Sequence, residues 1–207
     1  VLSESSIRRI VALAEERKAL VISDEVYREI HYGSLPASFM GRGGNVVVVN
    51  GLSKSHGMTG LRIGWALAPE ALMKPIVTAH QYIATCASVF SQDLANAVLS
   101  DGEANRAWLE GVRAKFREQR EVAMQTAKRA LGIEVAEPMG GFYLFVPIPA
   151  CHSIELARSL VLDAAVLTIP GVAFGAKGEG FLRVSYAAEP DLIRRGIERI
   201  GEHIGRV

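Results

Sequence analysis

Cysteine is all but missing: Cys86 and Cys151 are the only two among 207 residues, and no C-x-x-C spacing joins them. Neither a disulfide framework nor a cysteine-ligated zinc site is indicated, and each cysteine reads as a small buried apolar residue. An excess of one charge is missing too. Lys plus Arg number 23 against 22 for Asp plus Glu, with no run of five like charges, so a nucleic-acid phosphate tract would find no electrostatic footprint. Apolar runs such as 46–49 fall far short of the ~20 residues that span a bilayer. The opening VLSESSIRRI has no secretory hydrophobic region, and the expectation is a cytoplasmic protein that binds neither membrane nor nucleic acid. His31, His80, His152 and His203 show no ligand spacing, so no metal is expected.

What is present is an ordinary globular composition, 49% apolar and 22% charged, which argues against disorder and against collagen-like or coiled-coil architecture. Ser3 or Ser5 caps a predicted helix on the apolar spacing Ile7, Ile10, Val11, Ala14. The run 19–23 lacks polar alternation and reads as a strand covered on both faces, as in a parallel sheet between helices. The run 46–50 repeats that signature, and 63–68 reads as a third strand stopped by Pro69. Helices are expected from Glu70 to about Ala130, with a break near 85–91. Trp65, Trp108 and Phe116 fall in apolar rhythm and are expected in the core. Beyond, strands at 142–146, 166–169 and 181–185 alternate with helices at 154–162 and 191–204, making a small α/β unit.

Ligands of open α/β sheets gather beyond the carboxyl ends of the strands. Two such ends carry Asp24-Glu25-Val26-Tyr27 and Ser53-Lys54-Ser55-His56. A lysine directly after a buried strand is placed to act as a nucleophile toward an aldehyde. Eight residues on, Arg62 offers a bidentate fork that with Ser53 suits a phosphate.

The stretch Gly51-Leu52-Ser53-Lys54-Ser55-His56-Gly57-Met58-Thr59-Gly60-Leu61-Arg62-Ile63-Gly64 resembles the pyridoxal-phosphate attachment signature of class I/II aminotransferases, of fold type I. Ile22-Ser23-Asp24-Glu25-Val26-Tyr27 is similar to the same family's strand ending in Asp-Glu-x-Tyr. Gly140-Gly141-Phe142-Tyr143-Leu144-Phe145, Pro170-Gly171-x-x-Phe174-Gly175 and Phe181-Leu182-Arg183-Val184-Ser185-Tyr186-Ala187 resemble segments of its small domain.

The resemblance implies part of a three-layer α/β/α large domain at 1–102, a long interdomain helix at 103–130 and a small α/β domain at 131–207. It also implies pyridoxal 5'-phosphate, amino acid and 2-oxo acid substrates, and a homodimer. Lys54 would hold the cofactor as a Schiff base and move the substrate proton. Asp24 would face the pyridine nitrogen, Tyr27 the 3' oxygen, and Ser53 and Arg62 the phosphate. Arg183 would grip the substrate α-carboxylate. Glu25, Ser55 and His56 are expected to be supporting or structural residues. A carbon–sulfur lyase or decarboxylase on the same fold is the alternative chemistry, and a cofactor-sensing transcription regulator is a third reading. The chain opens at Val1 rather than methionine, and the resemblance places the ring-stacking aromatic, an asparagine turn and a first phosphate loop ahead of it, in a parent about twice as long.

Overall fold

The computed structural model describes residues 1–148 and 152–205; the expectation for Cys151 lies outside them. The chain divides into two compact units, 1–113 and 114–207.

In the first unit, helix α1 (Glu4–Glu16) begins where the Ser3 hydroxyl accepts the Ser6 N–H at 3.1 Å, a cap that stabilises a helix by about 1 kcal/mol. Its buried stripe is Ile7, Val11 and Ala14. Ile10 is 37% exposed and lies at the margin of the face predicted for it. Ile7 and Val11 pack with Phe39, Val46 and Val48 into one cluster. Strands β1 (Val21–Asp24), β2 (Val46–Gly51) and β3 (Gly64–Leu67) form a sheet in that order. β1 runs parallel to β2, with Asp24 opposite Val49, and β3 runs antiparallel to β2, with Gly64 opposite Gly51.

One expectation about this sheet is corrected. Both faces of β2 are covered at Val46, Val47 and Val48, but β1 is an edge strand and Ile22 is 67% exposed. Only the face of β1 carrying Val21 packs against the cluster beneath α1.

Three helices follow: α2 (Glu70–Ala84), α3 (Val89–Ser100) and α4 (Gly102–Leu131). The expected break at 85–91 narrows to 85–88, and a second break falls at Asp101. There the Asp101 carboxylate accepts the Ala104 N–H at 3.0 Å and starts the next helix as a cap. Cys86, read as buried, is exposed at the α2–α3 joint. Trp108, read as core, is 53% exposed.

In the second unit, strands β4 (Tyr143–Pro147), β5 (Ile169–Pro170) and β6 (Phe181–Ser185) form an antiparallel sheet in the order β4-β6-β5. Helices α5 (Ser153–Ala164) and α6 (Pro190–Ile204) supply Leu156, Leu160 and Ile200 to a core completed by Leu182 of β6. The strand expected at 166–169 shrinks to two residues because the chain is still closing α5. Ala165 takes a left-handed conformation, and the Val166 N–H bonds the Leu160 carbonyl at 3.0 Å. Gly201 lets α6 approach the end of α4, since any Cβ there would collide with the Ala130 carbonyl.

α5 is capped from outside its own sequence. The Glu179 carboxylate accepts the Ser153 N–H at 2.7 Å and the Ser153 hydroxyl at 3.0 Å, placing an anion at the positive end of the helix. The Ser153 N–H bond holds the Glu179 carboxyl below its ordinary value, against a smaller opposing push from desolvation. Because the folded-state pKa is the lower one, this contact stabilises the fold fully above the unfolded value near 4.5 and ceases to do so as pH falls through the folded value. Thermal melts of the parent and Glu179→Gln should therefore differ most at neutral pH and converge in acid. A gap independent of pH would exclude the ionised carboxylate as the cap.

Candidate active site

The parallel register of β1 on β2 brings two chain ends out on the same side of the sheet, Asp24 from one strand and the 51–62 loop from the other. The Glu25 N–H continues the ladder to the Val49 carbonyl at 2.8 Å, after which the chain turns. Asp24 shapes that turn, its Oδ1 accepting the Val26 N–H at 3.1 Å. Its second oxygen accepts no hydrogen bond among the described residues. Tyr27 follows on the same turn, and Lys54 Nζ lies 5.8 Å from the centroid of its ring, within the range of a cation–π contact.

Glu25 takes no comparable part. Its carboxylate, 10% exposed, accepts the Ser38 hydroxyl at 2.7 Å, the Phe39 N–H at 2.9 Å and the Ser23 hydroxyl at 3.2 Å. Those three bonds fasten the 36–39 segment under β1, the structural role expected of it.

Ser53 and Lys54 are half-buried. Among the described residues neither the Ser53 hydroxyl nor the Lys54 amine has a hydrogen-bond or ion-pair partner. Arg62 sits in the left-handed region at φ 50°, a conformation that non-glycine residues rarely adopt. It closes the short 3-10 turn Thr59–Leu61 and donates one guanidinium nitrogen to the Thr59 carbonyl at 3.0 Å. Its other nitrogens have no partner among the described residues, and its side chain is exposed. An amine, a hydroxyl, a guanidinium edge and a carboxylate oxygen, none of them in a hydrogen bond or ion pair among the described residues, thus issue from the same end of the β1–β2 pair.

The base of the 51–62 loop is held by two facing glycines. A Cβ on Gly51 would come within 2.9 Å of the Ile63 carbonyl oxygen, and one on Gly64 within 2.7 Å of the Asn50 carbonyl oxygen. Only glycine allows the strands this close just before the lysine loop.

In the second unit, Arg183 lies on β6 with its guanidinium carbon 4.3 Å from the centroid of Tyr143 and 4.8 Å from that of Phe174. Two aromatic rings this close hold a guanidinium by cation–π attraction, and a guanidinium is a cation whose N–H donors suit a carboxylate. Tyr143 stands on the neighbouring strand two residues from Phe145, the cross-strand partner of Arg183, so both point to one side of the sheet.

Sequence reasoning missed Asn105 and Trp108. The Trp108 indole N–H donates to the Ser55 carbonyl at 3.1 Å, and His56 Nε2 lies 2.9 Å from Asn105 Oδ1. Their i, i+3 spacing on a helix was the available signal, because it places two hydrogen-bonding side chains on one face. Among the described residues no helix is long and apolar enough to cross a membrane, and no cluster of three or more His, Cys, Asp or Glu stands ready for a metal.

A family model described as aminotransferase class I and II matches residues 1–200. A probable N-acetyl-LL-diaminopimelate aminotransferase of Bacillus subtilis (strain 168) is 35% identical over 96% of this chain and 50% of its own length. An aspartate aminotransferase of Pyrococcus abyssi is 32% identical over 97% of this chain and 52% of its own. The crystal structure of an aromatic aminotransferase from Pyrococcus horikoshii superposes with a TM-score of 0.91 at 30% identity, covering 100% of this chain and 56% of that one. The chain spans about half the length of the curated relatives it matches.

Substituting Gly64→Ala should destabilise the first unit by about 1–3 kcal/mol, because the clash is with backbone rather than a movable side chain. Urea denaturation would show this as an earlier midpoint at unchanged slope; an unchanged midpoint would mean the glycine pair is dispensable.

Proposed function

The chain belongs to the class I and II aminotransferases, and on that premise we propose that the protein moves an amino group between an amino acid and a 2-oxo acid, with pyridoxal 5'-phosphate held on Lys54. The observation that carries this reading is the set of groups at the end of the β1–β2 pair that have no hydrogen-bond or ion-pair partner among the described residues. They fit the cofactor's chemistry group for group: an amine for its aldehyde, a carboxylate for its ring nitrogen, and a hydroxyl with a guanidinium for its phosphate. When bound, pyridoxal phosphate supplies an electron sink for the charge left at the substrate Cα.

The chain's own residues do the rest. Lys54 Nζ, with no ion-pair partner among the described residues, is the attachment point and afterwards the base that holds the proton lifted from Cα. Asp24 keeps the ring nitrogen protonated through the oxygen its turn leaves over, since a carboxylate favours a cation beside it. Tyr27 directs its hydroxyl to the 3' oxygen. Ser53 and Arg62 hold the phosphate, and Arg183 takes the substrate α-carboxylate by two parallel hydrogen bonds. The same reading assigns 1–102 to the cofactor-binding domain, 103–130 to the linking helix and 131–207 to the small domain. The relatives are named for different amino acids, so the substrate is assigned as a class.

Borohydride reduction of the full-length protein with pyridoxal phosphate should leave a stable adduct on the Lys54 peptide, absent from Lys54→Ala. An adduct that persists in that variant overturns the lysine assignment. Arg183→Lys should keep the adduct but weaken amino acid binding about tenfold to a hundredfold, as expected for losing a charge-assisted pair. Loss of cofactor instead would mean that Arg183 serves another group.

A further inference from the structure

Directly after Lys54 come two polar residues that the protein buries almost completely: Ser55 is 3% exposed and His56 9%. Neither is left unsatisfied. His56 Nδ1 lies 2.9 Å from the Ser55 hydroxyl, and Nε2 lies 2.9 Å from Asn105 Oδ1. An amide oxygen only accepts, so Nε2 carries the hydrogen, and Nδ1 then accepts from the Ser55 O–H. One neutral form of the ring satisfies both contacts. The main chain is fixed as well, because the Ser55 carbonyl accepts the Trp108 indole N–H at 3.1 Å. The His56 and Trp108 rings are near-parallel at 10°, with centroids 6.4 Å apart. Finally, the His56 and Met58 N–H groups both bond back to the Leu52 carbonyl at 3.2 and 3.3 Å, folding the loop around the lysine.

We propose that Asn105 and Trp108 are positioning residues for Lys54: from one face of α4 they clamp Ser55 and His56, and so fix the direction in which the lysine side chain leaves the loop. The proposal rests on the assignment of Lys54 as the attachment point. The physical reason is that a lysine has a long, freely rotating stem. Its amine reaches one place reproducibly only if its Cα–Cβ direction is held, and here the residues that follow it are tied to a helix by one main-chain and one side-chain hydrogen bond. The burial of this serine–histidine pair is tolerated because each group is hydrogen-bonded, His56 to both Ser55 and Asn105. As an orienting clamp it has a use.

The test takes the full-length protein with pyridoxal phosphate and three variants. Trp108→Phe keeps an aromatic ring but removes the N–H along with the five-membered ring that carries it, Asn105→Ala removes the acceptor, and Asn105→Asp restores one. Three readouts are followed: borohydride-trapped adduct on the Lys54 peptide, visible circular dichroism of the bound cofactor, and thermal midpoint. Trp108→Phe and Asn105→Ala should still form the adduct at saturating cofactor, but attach it about fivefold more slowly, the worth of one hydrogen bond, and with weaker visible dichroism. Asn105→Asp should recover most of both. A lowered thermal midpoint with attachment rate and dichroism unchanged would show a purely structural network and overturn the proposal. Absence of the adduct from the parent protein would instead overturn the Lys54 assignment, and this proposal with it.

Discussion

The parallel pairing of β1 with β2 is the constraint on which the candidate site depends. Parallel neighbours end on the same side of a sheet, so the register that sets Asp24 opposite Val49 delivers a carboxylate and a lysine loop to one edge. An antiparallel pair would have sent them to opposite ends. The glycine contact between Gly51 and Gly64 then lets β3 return close beside β2. The lysine loop is thereby closed at its base by main chain rather than by side-chain packing.

Around that edge the protein separates groups it uses up from groups it leaves available. Glu25 spends its carboxylate on Ser23, Ser38 and Phe39, while Asp24, one residue earlier, spends a single oxygen on its own turn. Adjacent acids of nearly the same chemistry therefore have different fates, decided by which face of the strand end each occupies. Arg183 shows the same economy in the second unit. Tyr143 and Phe174 place their rings against its guanidinium carbon at 4.3 and 4.8 Å, and its N–H donors suit an anion.

Much of this was legible in sequence because it is written in local spacing. The stripes of α1 and α6 follow the helical period of 3.6, and the valine run of β2 and the strand at 181–185 read as short apolar runs, none of which needs tertiary knowledge. The placement of the candidate residues was legible for a related reason, since Asp24, Lys54 and Arg62 all lie at or near strand ends. What failed was burial. Trp108 keeps helical apolar rhythm yet stands 53% exposed, and its indole N–H bonds the Ser55 carbonyl. Ile22 reads as core and is exposed because β1 has a neighbour on one side only. Cys86 is exposed because it falls at a helix joint.

The sequence by itself determined the order of elements, the chemistry at the strand ends and the family to which these residues belong, because each is carried by neighbours along the chain. Tertiary structure alone decided which polar groups are spent and which remain available. It tied Ser55 and His56 to Asn105 and Trp108 across about fifty residues of chain, and it laid Arg183 over the rings of Tyr143 and Phe174. Those outcomes depend on closeness in space, about 3 Å for the hydrogen bonds and within about 6 Å for the cation–π contacts, and no spacing along a sequence encodes such distances.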